Sequence, residues 1–384
     1  MRFLHTADWH IGKSLFGRSR LDEQEKVIDE IVDIARRMKV DCVLLAGDVF
    51  ESTSPPAEAE RLVCDALAEF TAARITTVVV GGNHDHPKRL GALRKIGVPL
   101  DIHIRPEPAR AENGGVITLE MNGERAQIAV LPWVAEHRIV DITRMMNPED
   151  TWFAEYSMNV AAMCRQLAAG FRDDTINILT AHLFVFGAET SGTERAVHVA
   201  SPFAVKAEML PTRAQYIALG HLHKPQELPG GSRVLYSGSP IQVDFGERGQ
   251  EKRVVIIDLK AGFPAEIESV SLTRGRRLRE VTTTADGMER IANETSDDFL
   301  RVIVRSDTRI PGLARRVSEQ FPNAIDIRQE VAAAAEVEPA ADSSMASPVE
   351  FFERYVREQR NETPTQQMLA KFRELYAEAQ NEAG

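Results

Sequence analysis

The sequence predicts an α/β protein, and three observations predict it. Short apolar runs rich in β-branched residues alternate with amphipathic helical patterns through the first 260 residues, as expected where strands are buried on both faces and crossed by helices. After Thr273 a smaller strand and helix repeat takes over. Beyond a biased linker, the last patterned segments are two amphipathic helices.

Taken in order, strands are expected at about 2–5, 41–46, 75–80, 127–131, 175–181, 215–219, 233–237 and 252–259. The clearest helix runs from Leu21 to Met38, where Val27, Ile28, Ile31, Ile34 and Ala35 recur at helical spacing opposite a charged face. A second spans about 57–73, after Ser54-Pro55-Pro56, with serine suited to the cap and proline to the first turn. A third is expected near 154–169. The small unit reads as strand 278–284, helix 286–294, strand 299–305, helix 311–320 and strand 324–330, a βαβαβ module. Residues 332–347 lack aromatic side chains and read as a linker. The final helices fall at about 348–360 and 364–380, and Thr363-Pro364-Thr365-Gln366 between them matches a capping box with proline at the first helical position.

Composition removes several classes of protein. With 384 residues, 43% hydrophobic and 27% charged, the chain is long enough for one large domain and smaller additions, and is neither collagen-like nor wholly disordered. Its longest apolar stretches, such as Cys42–Ala46 and Thr76–Val80, fall far short of the roughly 18 residues of a membrane span. No signal peptide is evident in Met1-Arg2-Phe3-Leu4-His5. Cys42, Cys64 and Cys164 form no Cys-x-x-Cys pair and are expected as buried thiols in a reducing cytoplasm. A net charge of −11, from 57 acidic and 46 basic residues, argues against coating nucleic acid by bulk positive charge. It does not exclude an enzyme that grips phosphate through metal ions.

Chemistry enters just past the carboxyl ends of five expected strands. The segments are Asp8-Trp9-His10, Gly47-Asp48, Gly82-Asn83-His84-Asp85, Ala181-His182 and Gly220-His221-Leu222-His223. Strand ends of this kind converge on ligand-binding clefts. Oxygen and imidazole donors without thiolate suit Mn²⁺, Zn²⁺ or Fe²⁺ more than Ca²⁺ or Mg²⁺. The seven ligands Asp8, His10, Asp48, Asn83, His182, His221 and His223 exceed one tetrahedral ion. They suit two cations that share a carboxylate, leaving net positive charge for a phosphate. Alternate residues of an extended segment point the same way, so Asp-x-His and His-x-His can each send two donors to metal. His5, His86, His103, His137 and His198 lack such spacing and read as structural or surface residues.

These blocks, complete and in order, resemble the calcineurin-like metallophosphoesterase superfamily. The resemblance implies a layered α/β core with mixed β-sheets flanked by helices. It also implies one ion held by Asp8, His10, Asp48 and His223 and another by Asp48, Asn83, His182 and His221, with Asp48 bridging. His84 would stabilise or protonate the leaving group, Asp85 would orient His84, and a water between the ions would attack phosphorus in line.

The likeness extends to the SbcD-type nuclease subunits of bacterial SbcCD complexes through Met1-Arg-Phe-Leu-His-Thr-Ala-Asp-Trp-His-Ile-Gly-Lys13, Leu45-Ala-Gly-Asp-Val-Phe50 and Tyr236-Ser-Gly-Ser-Pro-Ile241. Membership implies a Mn²⁺-preferring nuclease that degrades double-stranded DNA from the 3′ end and cuts single strands and hairpins. It further implies an SMC-like ATPase partner of the SbcC type and a homodimer within a heterotetramer. The implied domains are a nuclease domain at 1–273, a capping domain at 274–331, a linker at 332–347 and helices at 348–384 that dock on the ATPase coiled coil. Phe351, Phe352, Tyr355 and Val356, then Met368, Leu369, Phe372, Leu375 and Tyr376, supply apolar stripes for such docking. The alternative is that the pair folds back on its own chain. Arg274, Arg276, Arg277 and Arg279, with Lys13, Arg18 and Arg20, suit either phosphate contact or a solvated face. Where archaeal relatives carry a second active-site histidine, this chain has Glu51. A phosphomonoesterase of the same superfamily and a scaffold without turnover are the competing readings.

Overall fold

The computed structural model describes residues 1–121, 123–135, 149–192, 194, 204–229, 231–288, 297–331, 364–366, 368, 369, 371 and 372. Residues Met1–Val331 form one compact unit and Ala332–Gly384 a second.

Seventeen strands occur among the described residues of the first unit. They are β1 (Arg2–Thr6), β2 (Ser14–Leu15), β3 (Arg18–Ser19), β4 (Cys42–Leu45), β5 (Thr76–Val80), β6 (Ile102–Arg105), β7 (Val116–Met121), β8 (Glu124–Leu131) and β9 (Ile176–His182). The chain continues with β10 (Tyr216–Gly220), β11 (Gln226–Leu228), β12 (Arg233–Tyr236), β13 (Arg253–Asp258), β14 (Glu266–Ser271), β15 (Leu278–Thr284), β16 (Phe299–Ser306) and β17 (Ala324–Val331). Helices are α1 (Leu21–Arg37), α2 (Ala57–Ala72), α3 (Pro87–Gly97), α4 (Glu149–Leu167) and α5 (Leu313–Gln320).

Two six-stranded mixed sheets, ordered β14-β13-β1-β4-β5-β6 and β11-β12-β10-β9-β8-β7, carry the architecture. Alternate residues of each inner strand serve different cores, because side chains in a strand point to opposite faces. Phe3, Cys42, Leu44, Val78, Val80, Ile178, Tyr216 and Ala218 meet between the sheets. Leu4, Val43, Leu45 and Val79 face Ile28, Ile31, Leu62 and Phe70 of α1 and α2. Leu179, Ala181, Ile217 and Leu219 pack with Val160, Ala161 and Cys164 of α4. The layers are therefore helix, sheet, sheet, helix. Strands buried on both sides read as continuous apolar runs, which is why the eight inner strands were visible in the sequence.

The edge strands β6, β7, β11 and β14 were not expected. They are polar on one face, as the half-exposed Val116–Met121 and Glu266–Ser271 show, so each lacks the continuous apolar signal. Helix α3 was also missed, since Gly91 and Gly97 interrupt its pattern. Other boundaries shift. Helix α2 starts at Ala57 with extended Pro56 in the cap position and no side-chain cap, so Ser54 does not serve as expected. The Pro56 carbonyl accepts from Ala59 N instead. Cys64 is exposed, against expectation, while Cys42 and Cys164 are buried, and all three are free thiols.

Strands β15, β16 and β17 form a separate, wholly parallel sheet with its own core of Val281, Leu300, Val302, Val304, Leu313, Val317 and Phe321. Of the expected helix at 286–294, Met288 is helical and 289–294 lie outside the described residues. This sheet meets the two-sheet body at Leu15, Phe245, Leu278 and Phe299. The connecting segment is stapled to α1: the Glu30 carboxylate accepts from Thr273 N at 2.9 Å, Thr273 Oγ1 at 2.7 Å and Arg274 N at 2.8 Å. Arg20, expected as a possible phosphate contact, is buried here, paired with Glu23 at 2.7 Å and donating to the Gln242 carbonyl.

In the second unit, the Thr365 hydroxyl accepts from Met368 N at 3.3 Å, the geometry of an N-cap, so Pro364 precedes the cap. The expected linker at 332–347, the helix at 348–360, His137 and His198 lie outside the described residues.

Glu30→Ala strips charged acceptors from three donors at this joint and should cost about 2 kcal/mol. Urea denaturation of wild type and variant measures it, and an unchanged midpoint would refute the staple.

Candidate metal centre

The carboxyl ends of the parallel strands β1, β4 and β5 in one sheet and β9 and β10 in the other meet along one seam. Thr6 lies opposite Leu45 and Leu45 opposite Val79, while His182 lies opposite Gly220. The loops beyond β1 and β4 run side by side, with Asp8 N bonded to the Gly47 carbonyl and His10 N to the Asp48 carbonyl, both at 3.0 Å. Across the seam, His221 N donates to Asp8 Oδ1 at 2.8 Å and His182 Nδ1 to the Ala46 carbonyl at 2.9 Å. All seven expected ligands are brought to this place. Asp8, His10, Asp48, His182, His221 and His223 are buried there.

Donor atoms of Asp8, Asp48 and His182 lie within 4.8 Å of one another, and so do those of His10, Asp48 and His84. Asp48 is common to both groups, at 3.4 Å from His182 Nε2 and 3.6 Å from His10 Nε2. The chemistry of these buried oxygen and imidazole donors fits bound divalent cations. His10 Nδ1 donates to Glu51 and His223 Nδ1 to Glu247, each at 2.9 Å. The two Nε2 atoms, left with lone pairs, face each other at 3.1 Å. Acceptor set against acceptor needs a cation or a proton between. His182 Nε2 stands at hydrogen-bond distance from Asn83 Oδ1, 2.9 Å. Asp8 Oδ2 is buried with no hydrogen-bond partner, a further open donor position.

The backbone is shaped to the same end. Asp8, His10, Asp48 and His221 all have positive φ, at 52°, 46°, 47° and 104°. Such non-glycine residues cost about 1–3 kcal/mol each and gather where function demands them. Two glycines make room: a Cβ on Gly47, itself at φ 97°, would lie 2.1 Å from His182 Nδ1, and one on Gly82 2.1 Å from Asp48 Oδ1.

His84 stands beside these groups, its ring 4.7 Å from that of His10. Its backbone N–H donates to Asp48 Oδ1 at 2.8 Å and its Nδ1 bonds the Glu51 carbonyl at 2.7 Å. Asp85 does not orient the His84 ring, as had been expected. Its carboxylate accepts from Val49 N, Phe50 N and Gly82 N at 3.2, 3.0 and 2.9 Å, so it ties the loops after β4 and β5 together. Glu51 orients the ring through its main chain.

Sequence reasoning missed three contributors. Glu247, fully buried, holds His223 and is paired with buried Lys252 at 2.7 Å. Trp133 stacks on His221 with centroids 5.1 Å apart. No spacing marks these residues, which arrive from elements distant in sequence. Among the non-ligand histidines, His5 is buried between the sheets on Tyr216 and the Leu219 carbonyl, and burial pulls its pKa down to about 3. His86 accepts from Lys88 N and His103 contacts Asp101, both at the surface. Of the basic cluster, Arg274 pairs with Asp33 at 2.6 Å and Arg276 with Asp297 at 3.1 Å. Lys252, Arg276, Arg277, Arg279 and Asp298 line a separate cleft of about 460 Å³ that contains none of the seven ligands.

The residues 1–225 match the calcineurin-like phosphoesterase family, and 267–360 match the type 5 capsule protein repressor C-terminal domain family. Fold and site together thus define a calcineurin-like metallophosphoesterase. The SbcD subunit of the SbcCD nuclease of Bacillus subtilis (strain 168) is 36% identical over 280 residues, covering 72% of this chain and 71% of that protein. Its counterpart in Rhodobacter capsulatus is 35% identical over 274 residues, covering 68% and 67%. The chain belongs to the SbcD family of nuclease subunits. A solved dimetal phosphatase from Danio rerio aligns at 11% identity over 71% of this chain and 99% of that one with a TM-score of 0.41, too loose a likeness to carry an argument.

Proton competition gives a pH signature. Burial lifts the Asp8 carboxyl to about 7, against the pull of His182 and His223. Burial disfavours a charged His182, but Asp48 and Asp8 outweigh it and hold the imidazole at about 9. Both native values exceed the ordinary 3.8 and 6.5, so the stability these protons supply is lost as pH rises through about 7 and then about 9. A cation takes over as the protons leave. The melting temperature of the cation-free protein should fall from pH 6 to pH 9, while that with saturating manganese chloride holds, so the gap widens. A gap that stays constant or narrows across this range would contradict proton displacement at Asp8 and His182.

Proposed function

We propose that this chain is the nuclease subunit of an SbcCD-type complex and hydrolyses DNA phosphodiesters at a two-cation centre, with Mn²⁺ as the preferred ion. The supporting observation is the opposed acceptors His10 Nε2 and His223 Nε2 at 3.1 Å, in a chain of the SbcD family. Asp8, His10, Asp48 and His223 would hold one ion, and Asp48, Asn83, His182 and His221 the other. When bound, two such cations neutralise phosphate charge and activate water for in-line attack.

The chain's own groups do the rest. Asp48, fixed by His84 N on Oδ1, offers its other oxygen across the centre. His84 is the general acid: with Nδ1 engaged by the Glu51 carbonyl, Nε2 is the atom that gives a proton to the leaving oxygen. Asp85 acts at a distance, keeping Asp48 and His84 in register through the loops it ties.

In this reading residues 1–273 are the nuclease domain and 274–331 the capping domain, which guides DNA toward the centre. Residues 332–347 are a linker, and the helices at 348–384 dock on the coiled coil of an SMC-like ATPase of the SbcC type. The assembly is a heterotetramer built on a homodimer of this chain, acting as a 3′–5′ exonuclease on double-stranded ends and an endonuclease on single strands and hairpins. The apolar stripe of Met368, Leu369 and Phe372 supports the docking role.

A fluorescent hairpin DNA and p-nitrophenyl phosphate, assayed side by side with Mn²⁺, separate this reading from its rivals. Turnover of the hairpin is expected; turnover of the monoester alone indicates a phosphomonoesterase, and silence on both a scaffold. His84→Ala should retain both cations yet lose about 10²–10⁴-fold in kcat, whereas Asp48→Ala should lose cation binding itself. Loss of metal in the His84 variant would remove it from the acid role. Deletion of residues 340–384 should abolish co-purification with the ATPase and spare hydrolysis of a small phosphodiester. Retained co-purification would refute the docking helices.

A further inference from the structure

The two cation positions are not supported alike. His10 Nδ1 donates to the Glu51 carboxylate and His223 Nδ1 to the Glu247 carboxylate, both at 2.9 Å. The Nδ1 of His182, across Asp48, donates to the neutral Ala46 carbonyl at 2.9 Å. A carboxylate behind an imidazole adds negative charge along the ring, fixes the tautomer and makes the opposite nitrogen a stronger donor to metal. A backbone carbonyl fixes the tautomer with far less charge.

Each carboxylate is itself held in place. Glu51 Oε1 pairs with Lys13 Nζ at 2.7 Å, and its side chain is 26% exposed. Glu247 is fully enclosed, with Oε2 on Lys252 Nζ at 2.7 Å and accepting from Val243 N at 3.1 Å. Lys252 Nζ also donates to the His223 carbonyl at 3.0 Å and Ser239 Oγ at 2.9 Å. Pairing with lysine makes the burial of Glu247 tolerable and aims its Oε1 at His223. The two assemblies come from distant parts of the chain, Lys13 and Glu51 following β1 and β4, Glu247 and Lys252 lying between β12 and β13. Yet they back the two imidazoles whose Nε2 atoms meet at 3.1 Å.

We infer that Glu51 and Glu247 are positioning residues that make the His10 and His223 position the tighter of the two cation sites, filled first as metal is added. The inference rests on the two-cation reading above. Glu51 has a double part, since its side chain holds His10 while its carbonyl holds His84. Glu51→Gln removes the charge behind His10 and leaves the main-chain contact to His84.

The test is a manganese titration of the full chain, read by calorimetry and by the electron paramagnetic resonance signal of free Mn²⁺. Wild type is expected to bind two ions in two affinity classes. Glu51→Gln should weaken the tighter class by about tenfold or more and leave the weaker class in place. Nuclease activity lost at limiting manganese should return as manganese is raised. Because Glu247→Gln alone strands a buried ammonium, the second variant is the double substitution Glu247→Gln and Lys252→Met, for which the same weakening is expected. Two ions of equal affinity in wild type, an unmoved tight class in Glu51→Gln, or turnover that no manganese concentration restores would overturn the inference while leaving the two-cation reading intact. Fewer than two ions in wild type would overturn both.

Discussion

Lone pairs pressed against lone pairs at the seam of two sheets set the terms for the rest of the molecule. His10 Nε2 and His223 Nε2 stand 3.1 Å apart while each Nδ1 faces a carboxylate, a contact that repels unless a proton or a cation lies between them. Holding such groups together requires a frame stiffer than the repulsion. The frame is two sheets whose inner strands are buried on both faces, with a shared apolar layer between them. Left-handed backbone at Asp8, His10 and Asp48 and the bare Cα positions of Gly47 and Gly82 are tolerated because this frame leaves the loops no better alternative.

Charge is managed outward in shells. Six of the seven candidate ligands are buried, the carboxylates of Glu51 and Glu247 back His10 and His223, and those in turn meet Lys13 and Lys252. Alternating sign keeps each buried ion paired, which limits its desolvation cost. The same chain of contacts connects the centre to the smaller parallel sheet. Phe245, two residues from Glu247, packs with Leu15, Leu278 and Phe299, and Arg301 lies over the Phe245 ring at 4.3 Å. The smaller sheet is thus joined to the candidate centre through packed side chains.

The strands found from the sequence and those missed divide along a physical line. Continuous runs such as Cys42–Leu45 and Thr76–Val80 announce themselves because both faces are apolar. Edge strands such as Glu266–Ser271 are polar on exposed faces and depend on a neighbour's hydrogen bonds, which no local pattern displays. The site divides in the same way. The candidate ligands fall in short blocks at strand ends, where spacing carries information. Asp85 sits inside such a block, and the family resemblance implied that it orients His84; the fold sends its carboxylate to backbone N–H groups of the β4 loop instead.

The amino-acid sequence by itself determined the α/β class, the eight inner strands and the blocks whose seven polar side chains gather at the seam, because burial on both faces and residue spacing are local, periodic properties of a chain. Tertiary structure alone decided that the centre straddles two sheets, that Glu51 and Glu247 stand behind two of its imidazoles, and that Asp85 ties loops. Those relations join residues separated by up to 213 positions, as His10 and His223 are, and only packing fixes which distant groups meet at hydrogen-bond range.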